Sequence, residues 1–183
     1  GQCYLRLMAI NYTYNLDSEF LKYYDIVNNI KGLDAEDINK AHYLAAQVFV
    51  KQRHYNQARE ALEKIPDNSK YYIVAQYLLG VSFTNLDQFD MAKAVFERLV
   101  NIKNYPWTDL NVSIIQNEAR LKLGYLHYQR GEFDQALFYF NQISKGYDRY
   151  DKSLLAQAWT NLKKGQYESV INKVDVLCNN YLL

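Results

Sequence analysis

Apolar positions along the chain recur at three- and four-residue spacing, the period of a helix that buries one face. Leu78, Leu79, Gly80 and Phe83 make one such stripe, and Phe89, Ala92, Phe96 and Leu99 make the next. A short polar stretch separates the two, which predicts a helix–turn–helix unit. The unit then repeats. Ala46, Ala58, Leu62 and Ile65 are followed 34 residues later by Gly80, Ala92, Phe96 and Leu99. Gly124, Ala136, Phe140 and Ile143 are likewise followed 34 residues later by Ala158, Val170, Val174 and Leu177. Between the second and third units the shift is 44, so about ten residues, 104–113, are added there.

The punctuation agrees with that frame. Gly131 and Gly165 fall in the predicted turns, where a positive φ is cheap for glycine. Gly80 and Gly124 share one place in the first helix, taken elsewhere by Ala46 and Ala158, where two helices must approach closely. Gly32, Gly146, Pro66 and Pro106 lie just past second helices, as helix stops. Asp34 followed by Ala35-Glu36-Asp37 reads as a capped helix start. The first 36 residues read as a degenerate unit. Asn15-Leu16-Asp17 parallels Asn85-Leu86-Asp87 with one residue inserted, so Tyr23, Val27 and Ile30 are expected where Ala92, Phe96 and Leu99 stand.

The period of 34 and the run Leu123-Gly124-Tyr125, Tyr128, Gly131-Glu132-Phe133 and Ala136 resemble the tetratricopeptide repeat family. The match covers roughly residues 39–178. It departs from the family where an early tryptophan is replaced by His42, Gln76, Arg120 and Leu154, and where the late proline is absent or displaced to Pro66 and Pro106. The resemblance implies an all-α fold: a right-handed α-solenoid of about five helix pairs. One solenoid over 1–183 is expected, with a degenerate pair at 1–36, two repeats at 39–103, the insertion at 104–113 and two further repeats at 114–183. A looser similarity to repeat proteins of bacterial envelopes leans the localisation toward the periplasm or cell envelope.

In this family the first helices line the concave side. Carried over position by position, the groove residues are Tyr43, Gln47, Val50 and Lys51; Tyr77, Val81, Thr84 and Asn85; Leu121, Tyr125, Tyr128 and Gln129; and Leu155, Trp159, Leu162 and Lys163. Four tyrosines and a tryptophan on one face suit a partner surface, because aromatic side chains bury much area at low entropic cost. Tyrosine is 18 of the 183 residues, however, so compositional bias and packing between repeats compete with this assignment. Lys51 and Asn85 are isolated members of the set that clamps a C-terminal carboxylate in the family, so recognition of a free C-terminus is not expected. In the insertion, Trp107 is either a partner anchor or, the favoured expectation, folded back with Leu110 over neighbouring helix ends.

Composition narrows the function. The chain is 49% apolar, with 21 basic and 20 acidic residues, so it supports a large core and has no bulk field for nucleic acid or anionic membrane. No apolar run is long enough to span a bilayer. Cys3 and Cys178 make neither a disulfide framework nor a zinc site. His42, His54 and His127 have no metal-ligand spacing, and His127 lies on a packing face. No phosphate-binding loop or nucleophile motif occurs. Glu60/Lys64 and Glu118/Lys122 read as ordinary solvated pairs, and Glu132 and Asp134 as acids favouring a helix N-terminus.

No catalytic group, metal or cofactor is therefore expected. The expected function is a non-catalytic scaffold or adaptor that holds a peptide or helix of a partner protein. The alternatives are a regulatory or substrate-presenting arm of a larger enzyme or envelope complex, and a solenoid binding glycan or a small ligand through stacked aromatics. The chain begins without methionine or signal segment, as a processed product does, and Gln2 fits a lipoprotein cleavage site before Cys3 poorly. The last helix carries Val170, Ile171, Val174, Leu177 and Cys178 with nothing polar after it. Either the native chain continues or this uncapped helix makes a homo-oligomer.

Overall fold

The computed structural model describes residues 1–103, 105–106 and 111–181. Among them are ten helices and no strand: α1 (Gln2–Thr13), α2 (Asp17–Asn28), α3 (Ala35–Lys51), α4 (Tyr55–Leu62), α5 (Tyr72–Asn85), α6 (Phe89–Val100), α7 (Val112–Gln129), α8 (Phe133–Asn141), α9 (Tyr150–Lys163) and α10 (Tyr167–Tyr181). They pair in sequence into the five helix–turn–helix units that the periodicity predicts. The chain divides into two compact units, Gly1–Val95 and Phe96–Leu183.

The five turns share one backbone. The second residue after each first helix has positive φ: Asn15 (55°), Arg53 (61°), Asp87 (56°), Gly131 (75°) and Gly165 (72°). In every case its N–H bonds back three residues, as Gly131 does to Tyr128 at 3.0 Å. The following N–H bonds back five, as Glu132 does to His127 at 2.9 Å. This pairing satisfies carbonyls that the helix end would otherwise leave open. Only two turns use glycine, so the other three hold an L side chain in the left-handed region at a cost.

That shared turn corrects the register of the first pair. The first core-facing position lies five after the positive-φ residue in each pair, which gives the buried Phe20, Ala58, Ala92 and Ala136 and the half-buried Val170. Phe20, Tyr24 and Val27 are buried, whereas Tyr23 and Ile30 are only partly covered. The expected alignment had matched Asn15 to Asn85 by identity. The turn instead matches Asn15 to Asp87, because asparagine tolerates the left-handed conformation.

In the first unit α3 packs against α2 and α4 and touches α1 and α5. Asp34 caps α3, its carboxylate accepting from the N–H of Glu36 at 2.9 Å and of Asp37 at 3.2 Å. In the second unit α8 packs between α7 and α9, and α10 closes on α9. Its core joins Leu121, Ala136, Phe140, Ile143, Tyr147 and Ala156. Gly124 makes this packing possible: a Cβ there would run into the Phe140 ring. Trp107 and Leu110 lie outside the described residues, so the two expectations for the insertion are not decided. Gln116 Nε2 donates to the carbonyls of Val100 and Ile102, at 3.1 and 2.8 Å, and ties the end of α6 to α7.

Candidate functional site

The predicted groove residues divide between the two units, and the two sets are in opposite states. In the first unit they are engaged with their own chain. Tyr12 of α1 donates its hydroxyl to Gln47 Oε1 at 2.6 Å, and Gln47 Nε2 donates to the Tyr43 hydroxyl at 3.0 Å. Tyr43 also stacks on Tyr71, with ring centroids 5.7 Å apart. Burial, then Tyr12 and Tyr71, push the Tyr43 phenol up. Lys51 pairs with Asp17 of α2 at 2.8 Å. Thr84 and Asn85 donate to carbonyls of their own helix, Gly80 at 2.9 Å and Val81 at 2.8 Å. Val50, Tyr77 and Val81 are half-buried.

In the second unit four of the corresponding positions, Tyr125, Tyr128, Leu155 and Trp159, line with Phe140 and Ala156 an open cavity of about 200 Å³. Trp159 is 54% exposed, Leu155 49%, Leu162 41% and Tyr125 40%, large values for side chains of this size. Phe140 forms the floor and meets Tyr125 edge-on, with centroids 5.3 Å apart. Tyr128 leans on Phe133 at 5.7 Å. Burial pushes the Tyr125 phenol up; Arg149 opposes this and Asp151 adds to it. Leu121, assigned to the groove by position, is 1% exposed and belongs to the core, so it cannot touch a partner. Gln129 and Lys163 are exposed at the ends of their helices.

The loop 142–149 sets the distance between α7 and α9. Its Tyr147 hydroxyl and Arg149 guanidinium both donate to Glu118 of α7, and the Ser144 N–H donates to Asn117 Oδ1 at 3.3 Å. Burial and the Glu118 carboxylate push the Tyr147 phenol well up. Glu118 is therefore buried and committed to this loop, not half of a solvated pair with Lys122. Glu60/Lys64 also departs from expectation: Lys64 Nζ donates to Asn28 Oδ1 at 3.2 Å. Glu132 does more than sit at a helix start. It lies 2.5 Å from His127 Nδ1, and that bond holds its carboxyl below the usual range. His127 is buried and stacks on Tyr139 at 5.4 Å, as its packing-face position predicts.

Sequence reasoning missed Phe140 and Ala156 as cavity walls, though the repeat marks Phe140 as a packing position. It missed Tyr12 because the first unit is degenerate. Among the described residues no group of three His, Cys, Asp or Glu side chains could hold a metal, and no helix is long and apolar enough to cross a membrane.

The tetratricopeptide repeat family model matches residues 74–106 and 118–148. No curated protein matches the chain significantly. Among solved structures the fold is similar to that of MamA, at 17% identity and TM-score 0.73, covering 91% of this chain and 89% of that one. It is similar to YrrB, described as a TPR protein with an unusual peptide-binding site, at 23% identity and TM-score 0.68 over 94% and 81% of the two chains. It is also similar to BtubC from P. vanneervenii, at 14% identity and TM-score 0.71 over 96% and 79%. At these identities the likeness concerns the fold.

Proposed function

Because the chain carries tetratricopeptide repeats, we propose that it is a non-catalytic protein-interaction module whose binding site is the aromatic cavity between α7 and α9. The observation that carries this reading is the cavity itself. Three large apolar or aromatic side chains, Leu155, Trp159 and Tyr125, are left in contact with water around a hole the size of one or two side chains. Covering such a surface is favourable, and anchors of this type dominate interface energies. The peptide-binding site in the description of YrrB supports the same class of ligand.

A glycan fits the lining less well. Sugar hydroxyls are held by carboxylates and amides, and the lining offers only the two tyrosine hydroxyls and the indole N–H as polar groups. Tyr125→Ala with Trp159→Ala tests the proposal. Proteins captured by the wild-type chain, identified by mass spectrometry, are expected to be lost from the variant while helicity by circular dichroism is unchanged. For a purified partner the affinity loss is expected to exceed about tenfold. Equal capture by both chains overturns the assignment.

A further inference from the structure

The aromatic cavity has basic side chains at both ends. On α9, Lys152 precedes Leu155 by a turn and Lys163 follows Trp159 by a turn, and both are exposed. On α7, Lys122 stands one turn before Tyr125 and is half-buried. Burial pushes the Lys122 ammonium down; Glu118 opposes this, and Arg149 and Lys152 add to it. Glu118 is already used by Tyr147 and Arg149. Among the described residues no ion pair uses Lys122, Lys152 or Lys163, whereas Lys164, next in the chain, is paired with Asp134. Asp151, beside Tyr125, and Asp148, exposed in the loop before α9, are the carboxylates left to oppose this set. The remaining acids of this stretch, Glu132, Asp134, Glu168 and Asp175, sit at the α7–α8 turn or on α8 and α10.

Resting on the interaction reading above, we infer that the cavity selects a partner segment in which one aliphatic or aromatic side chain is flanked on both sides by carboxylates. The apolar side chain fills the hole over Phe140, and the carboxylates meet Lys122 and Lys152 at one end and Lys163 at the other. A half-buried cation beside two like charges is relieved by an incoming anion, so complementarity here selects sign. Lys152 and Lys163 are three helical turns apart, about 16 Å along α9. An extended chain covers that span in about five residues. The acids of the bound segment therefore stand about that far apart, with the anchor between them. This differs from capture of a single C-terminal carboxylate, so the segment is internal.

The test uses short, C-terminally amidated, fluorescein-labelled peptides with a central Leu, Phe or Trp flanked on both sides by Glu, Ser or Lys. Binding to the full chain is read by fluorescence anisotropy. The Glu series is expected to bind at least about tenfold more tightly than the Lys series, with Ser between, since each exposed pair is worth up to about 1 kcal/mol and its reversal a similar penalty. The difference should collapse at high salt. Lys152→Glu with Lys163→Glu, two exposed positions away from the core, should invert the order. Equal binding of the three series, or an order unmoved by the charge reversal, overturns the charge selection and leaves the cavity reading standing. Binding of none of the peptides overturns both.

Discussion

The first helices of the two units carry the same repeat positions and treat them in opposite ways. At the place one residue after the small contact residue, the first unit has Gln47 and Val81 and the second has Tyr125 and Trp159. Gln47 is an amide that hydrogen bonds on both of its polar atoms, and α1 supplies Tyr12 to complete the chain Tyr12–Gln47–Tyr43. That face is closed by its own polar network. Tyr125 and Trp159 offer mainly ring surface, and each is left about half exposed. The difference teaches that a repeat position marks where a side chain points, and only its neighbours decide whether it is available. An aromatic count along the groove would have scored Tyr43 and Tyr125 alike.

Four changes break or sharpen this contrast. The largest effect is expected at the floor of the open site. Phe140→Ala removes a fully buried ring shared by the core and the cavity, and should cost about 3–5 kcal/mol in urea unfolding. Next comes acid. His42, 5% exposed and bonded through Nδ1 to the Tyr24 hydroxyl at 3.0 Å, has its imidazole pushed by burial, with Lys64 adding, down to about 4. The unfolded chain protonates this group near pH 6.5 while the folded chain does not, so the unfolded state binds more protons between those values. Stability present above about pH 6.5 is therefore lost as pH falls toward 4, by up to about 3 kcal/mol. His42→Gln should flatten that loss, and unfolding of the two chains at pH 7.5 and pH 5 measures it.

A smaller effect separates closed from open face. Tyr12→Phe removes the hydroxyl that closes the first network and should cost about 1 kcal/mol, without changing partner capture. Capture lost in this variant, with stability intact, would put the binding face in the first unit. The smallest change is a gain. Arg53→Gly and Asp87→Gly relieve left-handed strain in turns of the first unit and should each add about 0.5–1 kcal/mol, whereas Gly131→Ala in the second should lose a similar amount. Thermal melts of the three variants give the sign.

Much of the fold was legible because a helical hairpin is a local object. Gly131 and Gly165 announced their turns, Asp34 announced its cap, and the stripe Phe89, Ala92, Phe96 and Leu99 announced a helix. The register of the first pair was not legible, because Asn15 serves as a turn residue without glycine and Phe20 takes a place held by alanine in three other units. Part of the cavity lining was legible too: Tyr125, Tyr128 and Trp159 follow from the repeat positions carried over. The burial of Leu121 was not, since it depends on Phe140, Tyr147 and Ala156 converging on it.

Periodicity by itself determined the number of hairpins, the place of the turns in the four regular repeats and the face their second helices bury, since all of these depend on residues within one or two turns of each other. Tertiary structure decided which face is closed and where the unpaired cations gather. Hydrogen bonds such as Tyr12–Gln47 and the commitment of Glu118 to Tyr147 and Arg149 join residues about thirty positions apart, and no short-range pattern records which donor will find which acceptor.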